Sequence, residues 1–262
     1  MSFERLHLEI ADGVCEITLA RPAGANAIDL IAAEELAEAA LMCDQDPAIR
    51  AVLIRAEGKI FCAGGDVASF REAGDDVPGL LKRITCALHA ALSRLARMDA
   101  PVIAAVGGTA AGAGLSLVAA CDLVIAADNA KFTMAYTRIG LSPDGSSSFF
   151  VPRRIGIGRT RDLMLRNRVI GADEALAWGL VEQVVPAATL DEEARKAARE
   201  LAQGPTLAYG TAKRLLLTTF DSGLESQMED EAVGISSMAR TEDGREGLAA
   251  FFEKRAPKFR GR

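Results

Sequence analysis

The chain has 262 residues, is 50% hydrophobic and 25% charged, and carries 30 Lys+Arg against 36 Asp+Glu for a formal charge of −6. That composition excludes a disordered chain, and a mildly acidic protein with 5% aromatic residues is a poor nucleic-acid binder on bulk electrostatics. Five cysteines (Cys15, Cys43, Cys62, Cys86, Cys121) form no C-x-x-C pair, and their odd number argues against a disulfide framework, so the expected compartment is reducing and cytoplasmic.

The start, Met1-Ser2-Phe3-Glu4-Arg5, is polar and lacks the apolar core of a signal peptide. Leu6, Leu8 and Ile10 alternate, Asp12-Gly13 follows, and Cys15, Ile17 and Leu19 alternate again. Period two around Asp-Gly predicts a β-hairpin. A loop from Arg21-Pro22 to Asn26-Ala27 leads to a helix with Asp29 as its cap. A buried parallel strand is expected over 51–56, then a glycine loop, Phe61-Cys62-Ala63-Gly64-Gly65-Asp66, and a helix over about 79–98.

Positions 100–121 hold 22 consecutive uncharged residues, enough for a membrane-span filter. Pro101 at the start and Gly107, Gly108, Gly112 and Gly114 in the middle break the run, which reads instead as buried strand, glycine turn and buried helix. Further strands are expected over 122–126 and 181–185, with a helix over 172–178 stopped by Gly179. Strands alternating with helices predict parallel βαβ units, hence an α/β body over 1–190. After Pro186 the pattern turns almost wholly helical, giving a helical C-terminal region over 191–262.

Few residues offer chemistry. His7 sits in the first strand and His89 inside a helix, where a lone histidine is more often structural than catalytic. No His/Cys/Asp/Glu cluster has metal-ligand spacing. There is no G-x-S-x-G nucleophile elbow, no phosphate loop and no complete dinucleotide fingerprint. Two glycine-rich turns remain, each after a buried parallel strand. Ligands of such sheets bind at the carboxyl ends of the strands, and one peptide N–H from each turn could form an oxyanion hole. Taken singly, each turn also reads as ordinary loop chemistry.

Several ordered motifs carry a resemblance. Arg21-Pro22 with Asn26-Ala27 is similar to R-P-x-x-x-N-A, and the Phe61–Val67 stretch to F-x-A-G-x-D-[IVL]. Pro101 to Val106 with Gly108, Ala110, Gly112, Ala113 and Gly114 resembles a second oxyanion turn. Ala175-Leu176 with Trp178-Gly179-Leu180-Val181, and Phe252-Glu253-Lys254-Arg255 with Pro257 and Phe259, extend the match over essentially the whole chain. The pattern resembles the crotonase, or enoyl-CoA hydratase/isomerase, superfamily, nearest to its enoyl-CoA isomerase and ring 1,2-epoxyphenylacetyl-CoA isomerase branch.

The resemblance implies an α/β crotonase (ClpP/crotonase) fold, a superhelix of stacked ββα turns with a helical C-terminal trimerisation region. It implies a homotrimer or dimer of trimers acting on an acyl-CoA thioester, with CoA as part of the substrate and no separate cofactor or metal. The thioester oxygen would lie between the amides of Gly65 and Ala113. The family usually has Gly at the second position, so Ala113 is a departure that demands a conformation open to L-residues. CoA contacts are implied for Arg21, Ala63, Asp66 and Lys254. The two glutamates of the family's hydratases are replaced by Ser116 and Tyr136, neither a competent base near neutral pH without activation. One carboxylate stands at a meaningful place, Asp144 in Gly140-Leu141-Ser142-Pro143-Asp144-Gly145, where related isomerases carry a single acid. Pro-Asp-Gly is also an ordinary turn tripeptide. The expectation is an acyl-CoA isomerase with Asp144 as its base. The rivals are a hydratase with another acid, an inactive acyl-CoA-binding homologue, and a serine peptidase on the related ClpP-like fold, which lacks its Ser–His pair here.

Overall fold

The computed structural model describes residues 3–262; Met1 and Ser2, part of the polar start, lie outside them. β1 (Leu6–Ala11) and β2 (Val14–Leu19) pair antiparallel in the register Leu6 to Leu19 and Ala11 to Val14. Asp12 and Gly13 both have positive φ at their turn, the conformation that matches the twist of a two-residue hairpin. Helix α1 (Leu30–Gln45) starts where the Asp29 carboxylate accepts the Ala32 N–H at 2.8 Å.

Three units then repeat one plan. β3 (Ala51–Ala56) and β4 (Ile60–Cys62) precede α2 (Val67–Ala73) and α3 (Val77–Arg97). β5 (Val102–Val106) and β6 (Thr109–Ala111) precede α4 (Ala113–Ala120). β7 (Leu123–Ala127) and β8 (Lys131–Thr133) precede α5 (Ser147–Ile155). The long strand of each unit joins a six-stranded sheet of order β1-β2-β3-β5-β7-β10, and the short strand joins a four-stranded sheet of order β4-β6-β8-β9. Between successive units the pairing is parallel, which makes the stacked ββα turns of the crotonase fold. α6 (Ile157–Arg166), β9 (Ile170–Gly171), α7 (Ala172–Trp178) and β10 (Gln183–Val185) complete the body.

Three local readings are corrected. The helix expected over 79–98 begins at Val77, because Pro78 fits a first helical turn whose amides have no intrahelical partner. The strand expected over 181–185 shrinks to Gln183–Val185, since Gly179 ends α7 in the left-handed region and Leu180 and Val181 are buried before pairing begins. The two glycine turns also contain strands, β4 and β6. Three residues are too few for alternation to be visible in a sequence.

The main core lies between the sheets and α1, α3 and α4, with Phe61, Phe132, Leu92 and Ile54 among its largest buried members. The uncharged run forms β5, β6 and α4, and every residue of α4 is buried. A second core covers the other face of the six-stranded sheet. There Leu53, Ile103 and Ile125 meet Leu190, Ala194, Ala198 and Ala202 of α8 (Leu190–Ala202), one residue per helical turn. α9 (Thr206–Thr218) is pinned by Lys213, whose Nζ lies 2.7 Å from Asp122 Oδ2 and donates to the Ala100 carbonyl at 2.8 Å. α10 (Leu224–Met238) has no buried residue, and α11 (Glu242–Glu253) leads into the terminal tail. No helix among the described residues is long and apolar enough to cross a membrane.

Candidate active site

The first glycine turn is braced from the loop after β2. The Asn26 side chain accepts the Arg21 N–H at 2.9 Å and donates to the carbonyls of Glu57 (2.9 Å) and Ile60 (2.8 Å). The Arg21 guanidinium bridges Asp29 (2.5 Å) and Asp66. Asp66 in turn caps α2 by accepting the Ala68 N–H at 3.0 Å. Burial pushes the Asp66 carboxyl up, but Arg21 and the cap amides outweigh it and hold it below its ordinary value. Ile28 donates to Gly64 O at 2.7 Å, and Asp66 N–H donates to Ile28 O at 3.0 Å. These bonds run on either side of Gly65 and leave its amide out of the pairing.

The second turn meets the first at close quarters. Gly64 has φ +104°, and a Cβ placed there would lie 3.1 Å from Ala111 O and 3.6 Å from Ala113 N. Gly112, at φ +51° and ψ −123°, is the reciprocal contact and turns the chain from β6 into α4. Its N–H donates to Thr133 O at 3.1 Å. Ala113 is the first residue of α4, so its amide belongs to the unpaired first turn at the positive end of the helix. Being helical, the position takes an L-residue without strain, and the Ala113 methyl is buried in the core. The fold therefore brings Gly65 and Ala113 to adjoining turns, with both amides unpaired among the described residues.

Asp144 joins the same place from the far side. Tyr136, in the short turn after β8, donates from Oη to Asp144 Oδ1 at 2.6 Å. Ser116, one turn into α4, lies 2.9 Å from Tyr136 Oη and donates to the Asp144 carbonyl at 3.1 Å. That carbonyl also accepts Ser147 Oγ at 2.9 Å. Beyond it, the Gly145 N–H donates to His89 Nε2 of α3 at 3.1 Å. His89 thus tethers the Asp144 loop, a structural role within the site. Burial pushes the Tyr136 phenol well above its ordinary value, and the Asp144 carboxylate adds to this, so the proton stays on Tyr136.

The residues expected to meet CoA are dispersed. Ala63 is exposed beside the first turn, with its N–H donating to Ala25 O at 3.1 Å. The side chains of Arg21 and Asp66 are engaged with each other, bracing the turn. Lys254 caps α11 in the left-handed conformation, φ +54°. The tail beyond it runs past Arg50, at the start of β3 and so at the opposite end of that strand from the glycine turns. Within one chain, then, Lys254 is not brought to Asp144. The Tyr136–Ser116–His89 tethers were not recognisable beforehand, because they join positions 8 to 56 residues apart with no shared motif. Among the described residues no group of three or more His, Cys, Asp or Glu is placed to hold a metal ion.

Comparisons with known proteins converge on one group. A family model described as enoyl-CoA hydratase/isomerase matches residues 9–262. The chain is 36% identical to the 1,2-epoxyphenylacetyl-CoA isomerase of Escherichia coli K12 over 263 aligned positions, covering 100% of both. It is also 36% identical to a probable enoyl-CoA hydratase of Rhodobacter capsulatus, again over 100% of both. The crystal structure of an enoyl-CoA hydratase from Bacillus anthracis superposes with a TM-score of 0.92 at 31% identity, over 99% of this chain and 100% of that one.

Proposed function

The chain belongs to the enoyl-CoA hydratase/isomerase family, and from that premise we propose that it isomerises the double bond of an enoyl-CoA, or of a related ring acyl-CoA, by moving a proton through Asp144. The observation that carries the reading is the single carboxylate. Where the family's hydratases use two glutamates to deliver water, this chain has Ser116 and Tyr136, and both serve as hydrogen-bond partners of Asp144. One acid suffices for isomerisation because no water is added.

The thioester oxygen sits between the Gly65 and Ala113 amides. Asp144 takes a proton from the acyl chain, the negative charge moves to that oxygen, and the two amides hold it. The protonated Asp144 then returns the proton at another carbon. CoA enters as part of the substrate, and the reading requires no further cofactor. The five free cysteines, four of them buried as thiols, fit a reducing cytoplasm.

The same reading makes the protein a homotrimer or a dimer of trimers. Its support is the apolar surface of the helical region, where Phe220, Leu224, Ile235, Phe251 and Phe252 are exposed, the last two at 78% each. So many large apolar side chains in one region mark an association surface. Sedimentation should return three or six times the 27.6 kDa chain mass, and a monomer at micromolar concentration would remove this part of the reading.

A turnover screen tests the reaction. Incubation with 3-enoyl-, 2-enoyl- and ring-epoxide-CoA thioesters should give an isomerised product from the first or the third. Hydration of the 2-enoyl thioester alone would make the protein a hydratase with an unusual acid. Binding of all three without turnover would make it an inactive acyl-CoA-binding homologue.

A further inference from the structure

Asp144 is held asymmetrically. Tyr136 Oη occupies Oδ1 at 2.6 Å, whereas Oδ2 has no hydrogen-bond partner among the described residues. Ser116 stands behind Tyr136, fully buried, with Oγ 2.9 Å from Oη. Ser116 Oγ also reaches the main-chain oxygens of Gly112 at 3.2 Å and Asp144 at 3.1 Å. Beyond the two hydroxyls every acceptor is therefore a carbonyl, which has no proton to pass on. The network begins at Asp144 and closes on Asp144 and Gly112, offering a proton no onward hydroxyl.

We propose that Tyr136, backed by Ser116, is a positioning residue that makes Asp144 a one-oxygen proton carrier, so that the proton taken onto Oδ2 returns to the same acyl chain instead of exchanging with water. This rests on the reading of Asp144 as the base. For a 3-enoyl thioester the C2–H bond breaks and its proton goes to Oδ2. The electron pair left on C2 forms the C1=C2 bond as the thioester oxygen takes the negative charge. When that oxygen re-forms its carbonyl, the pair moves to C2=C3, and the former C3=C4 pair takes the proton from Oδ2 at C4. Nothing is oxidised or reduced, and Asp144 ends as it began.

One consequence separates this role from simple packing: freeing Oδ1 gives the carried proton a second oxygen and room for water. Around the Asp144 loop, α4 and α5 contribute the hydroxyls of Ser116 and Ser147, and His89 of α3 accepts the Gly145 N–H.

The test uses the full chain with a 3-enoyl-CoA deuterated at C2, reading the label at C4 of the product by mass spectrometry alongside kcat. Tyr136→Phe should lose roughly tenfold in kcat, the cost of one hydrogen bond to a charged group, and its deuterium at C4 should fall. Ser116→Ala, which leaves the phenol in place, should shift both readouts the same way by less, and it carries the test if Tyr136→Phe does not fold. Wild-type label retention in Tyr136→Phe would overturn the proposal. The underlying reading fails separately: intact turnover in Asp144→Asn removes the base itself, whereas loss in Asp144→Asn with no effect of Tyr136→Phe removes only the present inference.

Discussion

On the proposed reading Gly65 and Ala113 act through their main chains, so their side chains matter only for the shape they permit. That is why an alanine can stand at the second position: the first residue of a helix suits it, while the demanding conformation falls one residue earlier, on Gly112. The direct test of the first donor is Gly65→Pro, which deletes the N–H. Loss of one such donor costs about 10²–10³ in rate. The variant should keep its fold by circular dichroism, although Phe70, whose ring would lie 2.7 Å from a Cβ at this position, must move aside. Normal turnover in a folded Gly65→Pro protein would place the oxyanion hole elsewhere. At this scale the sequence was informative wherever chemistry is local. The glycine turns, the Asp29 cap and the Asp12-Gly13 hairpin all show in adjacent residues. What holds Asp144 did not show, because Ser116 reaches it from 28 positions away and His89 holds the adjoining Gly145 from 56 positions away, and only the packing of α3 and α4 joins them.

The elements repeat the lesson with a different cause. The long strands β3 and β5 were legible because four or five buried residues in a row leave a mark, while β4, β6 and β8 were not because three residues leave none. Yet those short strands set the geometry of the site: β4 and β6 pair in parallel immediately before the two glycine turns and fix how closely they approach. The terminal tail is a second case. On charge alone its five basic residues from Glu253 onward read as a solvated tail, whereas the family resemblance points to a phosphate contact. The structure divides them. Arg255 is spent on Glu246 and Glu253, both at 2.6 Å, and its guanidinium holds the Glu246 carboxyl down at about 2. Arg262 pairs with Glu242 at 3.0 Å. Lys254, Lys258 and Arg260 form no ion pair among the described residues, and on the proposed reading Lys254 and Lys258 are the amines offered to CoA phosphates in a neighbouring subunit's site. Reversing both charges should raise KM for full CoA thioesters about tenfold, with a loss that shrinks in high salt, and should spare pantetheine thioesters, which lack the nucleotide. Equal effects on both substrates, or none on either, would return the tail to a solvated role.

For the whole molecule, the family and fold were legible because the motifs are spread along the chain from Arg21 to Phe259 and hold their order. The reaction is a finer matter, since relatives named as hydratases and as an isomerase share this fold at the same level of identity. The reading rests on the content of one small volume at the carboxyl ends of β3 and β5, which among the described residues holds two free amides, one carboxylate and two hydroxyls. The measurement that bears most directly on this account is the rate at which a 3-enoyl-CoA is converted to its conjugated thioester, followed by absorbance, in the wild-type protein and in Asp144→Asn. Asn keeps the shape of Asp144 and removes the base, so turnover should fall by about 10²-fold or more while affinity for the thioester changes little. Wild-type turnover in Asp144→Asn, or no conversion by the wild-type protein on 3-enoyl or ring thioesters, would contradict it.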